Sequence, residues 1–399
     1  MRKPDPDIRI AVTGAGIICS IGRNKEEVWK AISESRAGIG KLTRFPGESF
    51  PTDLAAEVDG DLPVRGRDAR RMSRSDKLAV LAAAEAIAQA DGVRLDRAIV
   101  STGTSTGGLV EGEDYYFTRL VRGRRRAPAS RVLQQPTSGP SDAVAHAFHV
   151  GGGVVSNATA CASAGAAIGI AADYLRAHHA DAAIAGGTDA LCRLTYSGFN
   201  VLQAVDGEPC APFSSRRKGI TLGEGAAFLV LERWDDAVAR GARIIAELCG
   251  YGATCDAHHP TAPHEEGRGA EAAMRGALAD ARWNGKGIDY INAHGTGTLL
   301  NDSAETKAII SAVGTTVPVS STKSYFGHTL GASGAIEAVI TILALVHQMA
   351  PPTLRLETAA ADCTLDYIPH TPRPMRMQSA LSNTFGFGGS NVALLFARP

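Results

Sequence analysis

The 399-residue sequence lacks any close pair of cysteines. Its seven cysteines are dispersed, and no two have the Cys-x-x-Cys spacing of zinc ribbons and redox motifs. An odd number of dispersed cysteines also argues against a disulfide scaffold, so we expect a reducing compartment. The one histidine-rich stretch, residues 256–264, fits no zinc-binding pattern, and no metal site is predicted.

The sequence also lacks an excess of either charge and a long apolar run. Lys and Arg together number 41, as do Asp and Glu, so no overall charge attracts nucleic acid or an anionic membrane surface. The first residues contain no apolar segment of the kind a signal peptide needs. The most apolar helix candidate, Ala335 to Val346, includes Glu337 and is too short to span a bilayer. We therefore expect a soluble, cytoplasmic protein without nucleic-acid or membrane partners.

A complete dinucleotide-binding fingerprint is missing as well. The strand-like run Ile8–Val12 leads into Thr13-Gly-Ala-Gly, but Cys19 stands where the third glycine belongs. A tight turn after a strand accounts for these glycines better than a nucleotide site does.

The sequence is rich in alternating β-type and α-type segments, which predict an α/β protein. The pattern begins again near residue 245, which suggests a division into residues 1–245 and 246–399. Two successive α/β halves predict two β-sheets with helices between and outside them. In the second half we predict, in chain order, helix 265–283, strand 288–293, helix 302–312, strand 317–320, helix 331–347 and strands 380–384 and 392–396.

One segment of the first half, residues 157–170, combines a sharp turn with a helix of small residues. A β-type run precedes it, so Cys161 is predicted to lie near the start of the helix. Unpaired amides and the helix dipole at that position favour a thiolate, and small neighbours leave room for a long substrate. A buried structural cysteine is the more common alternative.

Three stretches of the second half place polar or flexible residues just past predicted strands. They are residues 292–302, which contain His294, residues 321–337, which contain His328, and residues 383–391. Open α/β sheets place their sites at such strand ends. Two histidines beside glycines, together with a cysteine at a helix start, fit a nucleophile served by two imidazole donors.

At these residues the chain resembles the β-ketoacyl-acyl-carrier-protein synthases of thiolase fold, in particular the elongating Cys-His-His branch of fatty-acid and type II polyketide systems. The four motifs occur in the same order along nearly the whole chain. The resemblance implies duplicated αβαβα layers with two mixed five-stranded sheets, the cysteine in the first half and both histidines in the second. It also implies a decarboxylative condensation with malonyl-acyl-carrier-protein, without a resident cofactor, because phosphopantetheine of the carrier protein holds the substrates.

The resemblance assigns catalytic roles to several residues. Cys161 would carry the acyl group, while His294 and His328 would donate to the enolate oxygen formed by decarboxylation. The backbone amides of Cys161 and Phe387 would hold the tetrahedral oxygen. Lys323 and Glu337 are expected to pair and to orient the imidazoles, and the alternative for each is a solvated surface residue. Residues implied to contact the substrate are Thr296, Thr298, Phe385, Val110 and Phe326.

A basic run between residues 65 and 77 is predicted to dock an acidic partner, with a solvated helix start as the alternative. The resemblance makes acyl carrier protein that partner, and it implies a homodimer or a heterodimer with a chain-length-factor-like subunit. The arginines proposed for docking are Arg67, Arg70, Arg71 and Arg74.

The sequence departs from the family pattern at Ala211, Ser214 and Lys218, where Arg, Asp and Asp are usual. Together with the bulky Phe326 before Gly-His, these differences favour a specialised polyketide or aryl-polyene pathway over general fatty-acid synthesis. Phe387 occupies the glycine-rich loop where degradative thiolases have a second cysteine, and His328 stands where initiating synthases have Asn. A non-condensing partner subunit that retained Cys161 remains the alternative.

Overall fold

The computed structural model describes residues 3–47, 50–64, 67–123, 127–284 and 287–399, and in that part of the chain it contains fourteen strands and eleven α-helices. The strands are β1 (Ile10–Cys19), β2 (Gly40–Lys41), β3 (Leu54–Ala55), β4 (Ile99–Gly103), β5 (Val154–Asn157), β6 (Ala182–Asp189), β7 (Gly225–Arg233), β8 (Ala246–Cys255), β9 (Tyr290–Asn292), β10 (Val319–Ser320), β11 (Met349–Ala350), β12 (Arg373–Pro374), β13 (Ser379–Gly386) and β14 (Ser390–Ala397). The helices are α1 (Lys25–Ser33), α2 (Arg74–Gln89), α3 (Leu109–Tyr116), α4 (Gly139–Ala147), α5 (Ser163–Arg176), α6 (Arg193–Val201), α7 (Trp234–Ala239), α8 (Arg268–Asp280), α9 (Leu299–Ala312), α10 (Lys323–Phe326) and α11 (Ser333–His347).

Ten of these strands form a mixed sheet in the order β10-β9-β13-β14-β8-β1-β7-β6-β4-β5. The first five in this order come from the second half of the chain, and the other five come from the first half. Within the described residues, the two sets pair with each other only between β1 and β8, from Ile10 opposite Leu248 to Val12 opposite Ala246. The predicted pair of five-stranded sheets is therefore present, with the two sheets joined along one edge. The division at residue 245 stays a prediction.

Helices cover both faces of each five-stranded set. On the outside, α2 and α4 pack on the first set, and α8 and α9 lie over the second. Between the sets lie α5 and α11, which contact each other and strands of both halves. This arrangement gives the predicted αβαβα layering, and its central layer is the largest hydrophobic core cluster of the protein.

The central helix α11 is buried on all sides along most of its length, and apart from Glu337 most of its side chains are apolar. With the turn before it, residues Leu330–His347 are long and apolar enough to cross a membrane by length and composition alone. However, 89% of this segment is buried inside the protein. A largely apolar helix that is enclosed by two sheets is a core helix.

The predicted elements of the second half lie close to the observed ones. The helix predicted from residue 302 begins earlier, at Leu299, because the Thr298 side chain accepts a hydrogen bond from the Asn301 amide and caps it. The helix predicted from residue 331 begins at Ser333, because Leu330–Ala332 form a 3-10 turn.

Gly103 at the end of β4 shows how closely the nucleophile helix is packed. A Cβ at this position would lie 2.1 Å from the carbonyl carbon of Ser163 and 2.3 Å from the amide nitrogen of Ala164. We expect Gly103→Ala to displace the start of α5 and to lower the free energy of unfolding by about 3 kcal/mol, measured by urea denaturation. Gly207→Ala is the control, since a Cβ there meets nothing within 4 Å. Equal stability of the two variants would contradict the close packing.

Candidate active site

Cys161 lies in the 3-10 turn Ala160–Ala162, between the end of β5 and the start of α5. Ala160 adopts a left-handed backbone conformation with φ of 49°, which turns the chain sharply and is costly for a residue with a Cβ. The Ser163 hydroxyl stabilises the turn, because it donates to the Ala160 carbonyl at 2.6 Å and accepts from the Thr159 amide at 2.9 Å. The cysteine side chain is buried at this turn.

His328 faces the cysteine, with its Nε2 atom 3.1 Å from the Cys161 sulfur. Its Nδ1 atom accepts a hydrogen bond from the backbone amide of Leu330 at 3.3 Å, and the Ser333 hydroxyl lies 2.9 Å from the same atom. A backbone amide can only donate, so the neutral ring carries its proton on Nε2, towards the sulfur. Burial lowers the pKa of His328 well below its usual range, and the Lys323 charge acts in the same direction.

His294 contributes a second imidazole with the same tautomer. Its Nδ1 atom lies 3.1 Å from the Lys323 amine, which can only donate when charged, so the His294 proton is on Nε2. Burial lowers the pKa of His294 well below its usual range, and the charge of Lys323 adds to that effect. The two imidazole rings are 5.3 Å apart and meet edge to face. At neutral pH the site therefore presents two neutral N–H donors.

Buried carboxylates hold these histidines in place. Glu305 accepts hydrogen bonds from the backbone amides of His294, at 2.8 Å, and Gly295, at 2.7 Å. Glu337 accepts a hydrogen bond from Lys323, and both side chains of this ion pair are fully buried. Burial raises the pKa of Glu337 to about 7, although the Lys323 charge opposes the shift. The structure thus brings Lys323 and Glu337 together as the sequence predicted.

Backbone amides lie next to the Cys161 sulfur. Burial raises the pKa of the Cys161 thiol to about 11, although the Lys323 charge and hydrogen bonds from the amides of Phe387 and Cys161 act in the opposite direction. The expected thiolate is therefore not the resting form, because the helix-start argument left out desolvation. A Cβ at Gly386 would lie 3.1 Å from the Cys161 nitrogen. Glycine at this position keeps the amides accessible.

Cys161 and both histidines open onto one cavity of about 300 Å³. Its closed end is formed by the buried catalytic side chains and Phe385, whose ring lies 5.7 Å from that of His294. Thr296 and Thr298 line the cavity further out, with their hydroxyl oxygens 2.9 Å apart. At its exposed end the lining residues include Lys218, Asp256, Leu299, Leu300 and Asn301.

Two residues predicted to contact the substrate lie elsewhere. Phe326 is fully buried in the central hydrophobic core and does not line the cavity. Its nearness to His328 in sequence was misleading, because α10 turns its ring into the core. Val110 lines a separate groove of about 1210 Å³ beside α3 and α6, so within one chain it does not border the cavity of Cys161.

The predicted docking arginines differ in their surroundings. Arg70 and Arg71 are exposed in the 3-10 turn that precedes α2. Arg74 is not available for docking, since its side chain is 14% exposed and donates to the buried carboxylate of Glu224. The prediction was wrong for Arg74, because the sequence does not show that Glu224, 150 residues away, pairs with this arginine. The side chain of Arg67 lies outside the described residues.

Several residues of the site were not predicted from the sequence. The Ser333 hydroxyl and the Leu330 amide set the orientation of the His328 ring. The position of Ser333, five residues after His328, is the feature of the sequence from which this contact could have been predicted. Phe199 on α6 lines the cavity and stacks on Phe387, with ring centroids 5.5 Å apart. No sequence pattern links α6 to the glycine-rich loop of Phe387.

Comparisons with known proteins agree with this geometry. Two family models match, Beta-ketoacyl synthase, N-terminal domain, over residues 7–237, and Beta-ketoacyl synthase, C-terminal domain, over residues 245–357. The chain belongs to the β-ketoacyl synthase family. It is 39% identical to 3-oxoacyl-[acyl-carrier-protein] synthase 2 of Synechocystis sp., with 98% of each chain covered.

Solved structures of the family have the same fold. The ishigamide ketosynthase/chain length factor superposes with a TM-score of 0.93 at 33% identity, and all of both chains is covered. A type II PKS acyl-carrier protein in complex with its ketosynthase gives 0.88 at 28% identity over 98% of this chain and 99% of that one. The predicted thiolase-like fold and condensing-enzyme class are confirmed. This β-ketoacyl synthase is an acyltransferase of fatty-acid or polyketide chain elongation.

The buried Lys323–Glu337 pair gives a pH-dependent prediction. Folding raises the pKa of Glu337 from its usual 4.5 to about 7, so its contribution to stability is present below pH 4.5 and is lost as the pH rises through 7. Without the Lys323 charge the pKa of Glu337 is higher still, so stability continues to fall above pH 7. We expect Lys323→Met to lower the free energy of unfolding by about 3 kcal/mol at pH 8.5 and by clearly less at pH 5.5.

Urea denaturation at the two pH values measures this difference. The double variant Lys323→Met/Glu337→Leu is the control, because it removes the unpaired carboxyl and should recover most of the stability at pH 8.5. Equal losses at both pH values would contradict the assigned role of Glu337.

Proposed function

We propose that this synthase transfers an acyl group from an acyl-carrier-protein thioester to Cys161 and then condenses it with malonyl-acyl-carrier-protein. The observation that carries the proposal is the 3.1 Å contact between the Cys161 sulfur and Nε2 of His328, with His294 beside them at the closed end of one cavity. A nucleophile and two neutral N–H donors at one point suit a reaction that passes through two oxyanions.

In the first step the Cys161 sulfur attacks the carbonyl carbon of the incoming thioester. The tetrahedral oxygen accepts hydrogen bonds from the amides of Cys161 and Phe387. The bond between the carbonyl carbon and the pantetheine sulfur then breaks, and the departing thiolate takes up the proton that the cysteine thiol gives up. The acyl group is left on Cys161, and the carrier protein leaves with a free pantetheine thiol.

In the second step the malonyl thioester loses CO2, and the electron pair of the broken C–C bond forms an enolate. Its oxygen accepts hydrogen bonds from Nε2–H of His294 and of His328. The enolate carbon attacks the acyl carbonyl carbon on Cys161, the C–S bond breaks, and the β-ketoacyl chain leaves on the carrier protein. The cysteine thiolate regains a proton from solvent, and the chemistry uses no resident cofactor.

The remaining lining residues serve the substrate arm and its acyl chain. The hydroxyls of Thr296 and Thr298 hold the amides of the pantetheine arm between the exposed end of the cavity and Cys161. Phe385, packed against His294, closes over the first acyl group. Lys323, paired with Glu337, fixes the tautomer of His294, and its charge helps to keep both imidazoles neutral.

We also propose how the enzyme assembles with a second subunit, which pathway it serves and where in the cell it acts. Strand β5 is at one end of the ten-stranded sheet, and its Val154 side chain is 41% exposed. This edge is where a second copy, or a chain-length-factor-like subunit, adds its own strand. Sequence departures such as Lys218 favour a specialised polyketide or aryl-polyene pathway, and the protein acts in the cytoplasm.

Acylation of Cys161 tests the chemistry directly. We expect intact-mass spectrometry to show one acyl adduct after incubation with acyl-carrier protein, in the parent protein and in Cys255→Ser, which changes an exposed cysteine. Cys161→Ala should give no adduct. His294→Ala should still be acylated but should release CO2 from malonyl-carrier protein about 100-fold more slowly. An absence of both acylation and decarboxylation would instead indicate a non-condensing partner subunit.

Charge reversal tests the docking surface formed by Arg70 and Arg71. We expect Arg70→Glu/Arg71→Glu to raise KM for acyl-carrier protein roughly tenfold at low ionic strength, without a matching change for acyl-pantetheine. The control is Arg243→Glu/Arg376→Glu, which makes the same change of charge at two exposed arginines in other loops. If both double variants raised KM for acyl-carrier protein equally, the effect would come from the net charge of the protein, and the proposed docking surface at Arg70 and Arg71 would be contradicted.

A further inference from the structure

Lys218 is exposed and lines the outer end of the catalytic cavity. It is the one Lys or Arg among the described residues that form the wall of this cavity. No hydrogen bond or ion pair of its ammonium group is found within the described parts of the chain. The Asp256 carboxylate lines the same cavity but accepts hydrogen bonds from the Asn391 amide, at 2.8 Å, and the His264 backbone, at 3.2 Å.

The backbone of Lys218 is held beside the threonines of the cavity. The neighbouring Arg217 has a side chain only 3% exposed, and it donates to the carbonyl oxygens of Thr298, at 3.4 Å, and Leu299, at 3.3 Å. On the other side, a Cβ at Gly297 would lie 2.9 Å from the Gly219 carbonyl oxygen. Both neighbours of Lys218 therefore pack on the turn that connects Thr296 to α9.

The same turn brings a second source of positive potential to the exposed end. Helix α9 starts at Leu299, directly after the capping Thr298, and Leu299, Leu300 and Asn301 of its first turn line the cavity. The N-terminus of a helix of this length carries a partial positive charge and favours anions. Lys218 and the start of α9 thus act on the same small region.

We infer that Lys218 binds the phosphate ester at the outer end of a pantetheine-type substrate arm. The inference rests on the proposed function, which places the thioester at Cys161 and the amides of the arm at Thr296 and Thr298. The next group along such an arm is the phosphate, and the outward direction leads to Lys218. An unpaired ammonium next to a helix start is suited to that anion.

Equilibrium binding tests this subsite without any acyl transfer. We expect the protein to bind 4′-phosphopantetheine about fivefold to twentyfold more tightly than pantetheine in NMR or calorimetric titrations at low salt. Lys218→Ala should remove this preference and Lys218→Arg should keep it. Lys218→Asp should remove or reverse it. High salt should weaken the preference in the parent protein, because the ammonium is exposed.

Arg216→Ala is the matched control, because Arg216 is in the same loop but is paired with Glu208 at 2.6 Å and does not line the cavity. It should keep the phosphate preference. If Lys218→Ala weakened pantetheine and 4′-phosphopantetheine equally, Lys218 would shape the loop and the phosphate assignment would be overturned. Unchanged binding of both ligands by Lys218→Ala would overturn it as well.

The phosphate can be presented by a carrier protein or by coenzyme A, and both are used as probes. A similar loss of affinity for holo-acyl-carrier protein and for coenzyme A in Lys218→Ala supports a contact with the shared phosphate. A loss confined to the carrier protein would assign Lys218 to protein docking, and a loss confined to coenzyme A would assign it to the nucleotide. Either of these confined losses overturns the inference.

These binding results separate the subsite from the proposed chemistry. A phosphate preference that depends on Lys218, in a protein whose Cys161 is never acylated, would retain the subsite and contradict the condensation. Normal acylation of Cys161 without any phosphate preference would contradict the subsite and leave the condensation in place.

Discussion

The active site depends on the close approach of α5 and α11 in the central layer. A Cβ at Gly334, at the start of α11, would lie 2.7 Å from the backbone nitrogen of Gly165, near the start of α5. Glycine at position 334 permits this distance, because a side chain there would collide with the backbone of α5. Cys161 precedes the first helix by two residues, and His328 precedes the second by five. Packing of the two helix starts therefore brings the sulfur and the imidazole from opposite halves of the chain to 3.1 Å.

Much of this arrangement could be predicted from the sequence, because its signals are local. Cys161, His294 and His328 each lie near a predicted strand end or helix start, and each has glycines or other small residues nearby. The αβαβα layering follows from the alternation of segment types in two successive halves. The pairing of Lys323 with Glu337 came from the family resemblance, with an acid inside an apolar helix as its physical support.

The features that were predicted wrongly depend on contacts between distant parts of the chain. Arg74 belongs to a basic run in sequence, but Glu224, 150 residues away, takes up its charge in a buried ion pair. Phe326 is two residues from His328, yet it is the last residue of α10 and its ring packs in the central core, whereas His328 lines the cavity. The raised pKa of Cys161 is a result of burial, and the degree of burial is known only once the fold closes over the turn.

The buried cation explains why the two imidazoles work as donors. The Lys323 amine contacts Nδ1 of His294, which places the proton of that ring on Nε2. Burial lowers the pKa of both histidines, and the Lys323 charge lowers it further. Neutral rings can donate to an enolate without protonating its carbon, and they require no counter-ion in the core. The Glu337 carboxylate offsets the cost of burying Lys323, although its Oε2 atom has no hydrogen-bond partner among the described residues. The buried ion pair thus sets the tautomer of His294 and, together with burial, keeps both catalytic histidines neutral, while the Leu330 amide sets the tautomer of His328.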